Sequence, residues 1–141
     1  MKRASWILTF ALVSLVPASA FADETLQYYQ QQCTAAVKAH DDGATITACQ
    51  RAALDYALYA AKQVGESRYT MLLQEGSDIL DFSRSEGKTG NVAMAQKDAT
   101  QARTLFGEIA ESSHKDATIA EAQAGAGDAE ALLAELATKQ P

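Results

Sequence analysis

The chain is short of most residues that mark catalysis or metal binding. It has two histidines, two cysteines, one tryptophan and two prolines in 141 residues. With Pro17 and Pro141 the only prolines, nothing between them breaks a helix through a missing backbone N–H. No Cys-x-x-Cys or Cys-x-x-Cys-His occurs, which removes the usual signatures of dithiol redox chemistry and covalent haem attachment. His-Glu-x-x-His, Gly-x-Ser-x-Gly and a phosphate-cradling glycine loop are also absent. Ala124-Gly125-Ala126-Gly127 is not such a loop, because no strand pattern precedes it. Positive charge is scarce too: 12 Lys and Arg stand against 18 Asp and Glu, a net charge of −6. That balance argues against nucleic acid and anionic membrane surfaces as partners.

Only one long apolar run exists, at the beginning. Met1-Lys2-Arg3 is basic, Trp6 to Val16 is apolar, Pro17 ends the run, and Ala20-Phe21-Ala22 supplies small residues for cleavage. The run is too short to cross a bilayer comfortably and has the three-part form of a secretory signal peptide. The expected organisation is a leader over residues 1–22 and one domain over 23–141, exported to the periplasm or secreted. Cleavage after Ala20 is the alternative. No cysteine follows the site, so lipid attachment is not indicated. Loss of Lys2 and Arg3 takes the net charge to −8. No later segment is apolar enough to form a transmembrane helix.

What remains is rich in Ala, Gln, Glu and Leu at helical spacing. The expected fold class is all-α, with about five helices in stacked antiparallel hairpins. The expected spans are about 24–40, 44–64, 67–85, 91–111 and 116–139. Gly65 reads as a C-terminal cap of the second helix and Asn91 as an N-cap of the fourth. Asp116 reads as a cap of the fifth. Gly125 and Gly127 each cost about 1 kcal/mol relative to alanine inside a helix, so a kink or break is expected there.

Cys33 and Cys49 each lie eight residues from Asp41, in Asp41-Asp42-Gly43. Residues equidistant from the turn of a helical hairpin sit at one height, so the pair is expected to form a disulfide between the first two helices. A bridge needs Cα atoms about 4.4–6.8 Å apart, closer than usual helix axes. Ala36, Ala48, Ala52 and Ala53 allow that approach. An oxidising compartment favours the bridge over two thiols or a Cys33–His40 nucleophile pair.

A shift of 47 residues maps Gly43 on Gly90, Ala48 on Ala95, Ala52 on Ala99 and Leu58 on Leu105. With Ala102, and with Leu72, Gly76, Leu80 and Phe82 placed as in a first repeat helix, this pattern resembles tetratricopeptide-type helical repeats. The period is longer than their usual ~34 residues, and neither their early Trp-x-x-Leu-Gly signature nor their closing proline is present. A simple four- or five-helix bundle accounts for the same alanines. The resemblance implies a protein- or peptide-binding scaffold using first-helix faces, with Tyr28, Tyr29, Tyr69 and Leu73 as a candidate interaction surface. Core burial is the competing reading, and for Tyr29 and Leu73 the stronger one. The glutamine-rich stretch around Tyr28 and Tyr29 reads as an ordinary helix face.

No cofactor, metal site or catalytic residue is expected. His40 beside Asp41 and Asp42 lacks a second ligand at a defensible spacing, and a cation there is favoured by the helix C-terminus alone. His114 has no identifiable partner. The pairs Glu75 with Asp78 and Glu108 with Glu111 read as solvated helix faces. The sequence-based function is a non-enzymatic protein- or peptide-binding module of the cell envelope. The alternatives are a bundle holding a small apolar ligand among Tyr56, Tyr59, Phe82 and Phe106, or a carboxylate-based envelope enzyme.

Overall fold

A computed structural model of the chain describes residues 18–140, with side chains from Glu24 onward. Most of the expected leader, residues 1–17, lies outside the described residues. Five helices follow one another: α1 (Ala18–Lys38), α2 (Asp42–Ala60), α3 (Gly65–Lys88), α4 (Val92–Ser112) and α5 (Asp116–Ala137). No strand occurs among the described residues, and none of the helices is long and apolar enough to cross a membrane.

Short turns make each helix antiparallel to the next. α2 packs on α1 and α3, α4 packs on α3 and α5, and α3 also touches α5. Among the described residues α1 makes no extended packing with α4 or α5, and α2 makes none with α4. The result is an open succession of hairpins with a gap between α2 and α4.

The first hairpin is set by local chemistry. α1 ends in a paired turn: the Asp41 N–H donates to the Ala36 carbonyl at 3.2 Å and the His40 N–H to the Val37 carbonyl at 3.1 Å. This closure needs a left-handed residue, and His40 supplies it at φ 53°. Asp41 then caps α2, its Oδ1 accepting from the Ala44 N–H at 2.9 Å. Cys33 and Cys49 are bridged, with Cα atoms 4.6 Å apart, and both are fully buried.

The second hairpin uses the same turn. The Asn91 N–H donates to the Glu86 carbonyl at 2.9 Å, and Gly90 takes the left-handed position at φ 91°. The hairpins are therefore equivalent fifty positions apart, His40 to Gly90, rather than forty-seven. In that register Cys49 matches Ala99, Ala52 matches Ala102, and Cys33 matches Ser83, all of them buried.

The expected caps are partly redistributed. Gly65 does not cap α2, which stops at Ala60; it opens α3 at φ 59°. Asn91 holds the N-cap position of α4 without a side-chain hydrogen bond. Asp116 is the first residue of α5 rather than its cap. That end is held from another helix: the Glu66 carboxylate accepts from Ser113 Oγ, the His114 N–H at 3.1 Å and Thr118 Oγ at 3.2 Å.

α5 runs unbroken through Ala124–Gly127, against the expected kink. Tertiary packing is the reason. The Phe106 ring sits between Gly125 of α5 and Gly76 of α3, so close that a Cβ at either glycine would stand 2.6 Å from it. Gly87, expected beyond the third helix, lies inside α3, where Leu136 packs equally closely. Glycine here admits large side chains from neighbouring helices, which outweighs its poor helix propensity.

Candidate functional site

α3 is the one helix enclosed by three others, and it carries a row of acids, Glu75, Asp78 and Asp81, spaced so that they fall along one side. Asp78 is fully buried where α1, α2 and α3 meet. This corrects the reading of the Glu75–Asp78 pair as a solvated face. Gln74 Nε2 donates to Asp78 Oδ1 at 3.1 Å, and Gln30 also hydrogen-bonds the carboxyl. Cys33 Sγ lies 3.7 Å from Oδ1, a contact only, because a disulfide sulfur has no proton to give. Oδ2 has no partner. Burial pushes the Asp78 pKa up to about 7 against the two glutamines, and the charges of Asp81 and Glu75 push the same way. Burial and the nearby Asp78 also raise Tyr56. Asp81 is raised by burial, although Arg84 bridges it at 3.1 Å.

A second acid pair joins α3 to α4. Glu86 is buried, and its pKa is pushed to about 7, first by burial and then by the Asp98 carboxyl beside it. Gln50 Nε2 donates to Glu86 Oε1 at 3.4 Å. These acids hold protons at near-neutral pH, but Asp78 and Glu86 line none of the main clefts. They act inside the helix packing.

Metal-type ligands converge once among the described residues, where atoms of Cys33, Cys49 and Asp81 lie within 4.8 Å of one another. The disulfide occupies both sulfurs, leaving a single carboxylate. His40 is exposed, and the cleft beside it, about 240 Å³, is closed by its own polar contacts. Ser85 Oγ donates to Asp42 Oδ1 at 2.9 Å and Lys88 Nζ lies 3.8 Å from the same oxygen.

An open gap lies between α2 and α4, above α3. One part, about 260 Å³, has Ala53, Leu54 and Ala57 of α2 as a wall and Ile79 and Phe82 of α3 as its floor. Gln50 and Gln101 flank it. The adjoining part, about 450 Å³, extends along α4 between Lys97 and Glu108, with Leu105 as its apolar residue. Glu75 and Gln101 line both parts, so the two adjoin and are together called the groove. Leu54 is 51% exposed at its edge. Leu58, one turn further along α2, is 58% exposed and lines the cleft toward α1. Glu75 is half-buried, and burial raises its pKa.

The sequence-derived surface does not form one patch. Tyr28 is exposed and stacks edge-on to Tyr29 at 5.2 Å. Tyr29 packs against the core, with the Arg51 guanidinium 4.9 Å above its ring. Tyr69 is partly buried against the core and Leu73 is a core residue. Phe82 and Phe106, candidates to line a ligand cavity, are buried, and the Phe106 ring occupies the space between α3 and α5. Leu54, the exposed groove residue, was not singled out from sequence; an exposed leucine inside the alanine-rich α2 was the available signal. Comparisons with protein-family models, with curated proteins and with solved structures give no match for this chain.

Proposed function

We propose that this is an exported, non-enzymatic module that binds a protein or peptide in the cell envelope through the groove between α2 and α4. The observation that carries the reading is the groove itself: Leu54 and Ala57 of α2 stand open to solvent above the buried Ile79 and Phe82, between helices that do not pack on each other. Leu54 is the exposed large aliphatic of this groove, and with Ala57 and Leu105 it forms the apolar surface a partner would cover. The resemblance to tetratricopeptide-type scaffolds read from the sequence belongs to this proposal, with the difference that the open channel lies between the second helices of the hairpins. The leader-like residues 1–22 and the buried disulfide support export into an oxidising compartment.

The test compares the processed protein with Leu54→Asp as bait in envelope extract. Leu54 is half exposed, so the variant is expected to fold. The reading predicts a partner retained by the wild type and lost by Leu54→Asp at unchanged helicity. A partner captured equally by both would move the binding surface away from the groove.

A further inference from the structure

The partner of this groove can be specified by its chemistry, on the basis of the docking reading above. Glu75 stands where the two parts of the groove join. It is half-buried, and among the described residues no ion pair or hydrogen bond involves it. Among the described residues Lys97 is the one cation lining either part of the groove, and it lies outside ion-pair distance of Glu75. A half-buried carboxylate with no paired cation carries a desolvation cost that an incoming cation offsets.

We infer that the groove takes an amphipathic helix that lays an aliphatic face against Leu54, Ala57 and Leu105 and directs a lysine or arginine at Glu75. A helix suits the channel because its walls are helices, whose ridges accept another helix, and because the described residues offer no sheet edge for strand addition. The wall from Lys97 to Glu108 is about 16 Å long, room for roughly three turns. A cationic partner also matches the chain's net charge of −6, which draws positive ligands toward it.

The test uses two fluorescein-labelled model helices of Ala, Gln and Leu, with leucines at i and i+4. One has a central lysine and its twin has glutamine there. Binding to the processed, oxidised protein is read by fluorescence anisotropy at pH 8. The lysine peptide is expected to bind roughly tenfold more tightly than its twin, as a partly desolvated charge-assisted hydrogen bond gives. Glu75→Gln removes that advantage and leaves the twin's affinity unchanged. Leu54→Asp abolishes binding of both peptides, and Val64→Ala, at an exposed site before α3, changes neither. Equal affinities in the wild type, or a lysine preference that survives Glu75→Gln, overturn the inference. If Leu54→Asp still abolishes binding in that case, the groove reading itself stands. Binding indifferent to Leu54→Asp, or no binding of either peptide, overturns the inference and counts against the groove as well.

Discussion

Two glycines on one helix should respond differently to alanine. Gly125 and Gly127 both lie inside α5, and helix propensity alone favours alanine at each by about 1 kcal/mol. Their surroundings differ. Nothing lies within 4 Å of a Cβ at Gly127, whereas a Cβ at Gly125 would stand 2.6 Å from the Phe106 ring. Carbon atoms in contact prefer about 3.5–4.0 Å, so the ring must retreat by roughly 1 Å. It has no room to do so, because the other side of the ring meets Gly76 equally closely. Overpacking of this kind costs about 1–3 kcal/mol. Gly127→Ala should therefore stabilise by about 1 kcal/mol, and Gly125→Ala should fall between neutral and a loss of about 2 kcal/mol once the propensity gain is subtracted. Urea unfolding followed by circular dichroism at 222 nm measures both. Phe106→Leu combined with Gly125→Ala should recover part of the loss relative to Phe106→Leu alone. Equal stabilisation by both alanines would refute the placement of Phe106 between α3 and α5.

Further expectations follow from other parts of the packing. His40→Gly should stabilise by about 1 kcal/mol in thermal melts, because His40 holds a left-handed conformation that costs an L-residue about that much; a loss of stability would mean that the His40 side chain makes a needed contact. Asp78 keeps its proton in the folded state up to about pH 7 but releases it near 3.8 when unfolded. Stability should therefore be highest at or below the ordinary carboxylate range, fall as pH rises from about 4 to 7, and level off above that. Asp78→Asn should flatten this slope and exceed the wild type at pH 8, and an unchanged slope would assign the dependence to Glu86 and Asp98 instead. The fully buried disulfide should take up no alkylating reagent in the native oxidised protein and two labels after unfolding and reduction, while Cys33→Ala with Cys49→Ala should cost about 3 kcal/mol in urea unfolding.

Elements whose information is local were legible in the sequence. The symmetric placement of Cys33 and Cys49 about the Asp41–Gly43 turn was enough to pair them, and apolar spacing located all five helices. Features decided by distant contacts were not. Helix propensity argued for a break at Gly125, and only the Phe106 ring arriving from α4 explains why the helix continues. Glu75 and Asp78 look alike as acids on one helix, yet the second is sealed beneath α1 and α2 while the first faces the groove. Glycine as the turn marker puts the hairpin register three residues off. In the first hairpin the left-handed position belongs to His40, and a non-glycine residue there is uncommon. The groove depends on α2 and α4 failing to meet, a property of tertiary arrangement with no local signal.

The most direct test of the central claim is photo-cross-linking in living cells from benzoylphenylalanine placed at position 54, with position 94 as control. Leu54 borders the groove, and Met94 is comparably exposed on α4 but lines none of its residues. The account predicts a discrete adduct from position 54 and none of the same mass from position 94. Identical patterns from both positions, or an adduct from 94 alone, would contradict a partner bound between α2 and α4.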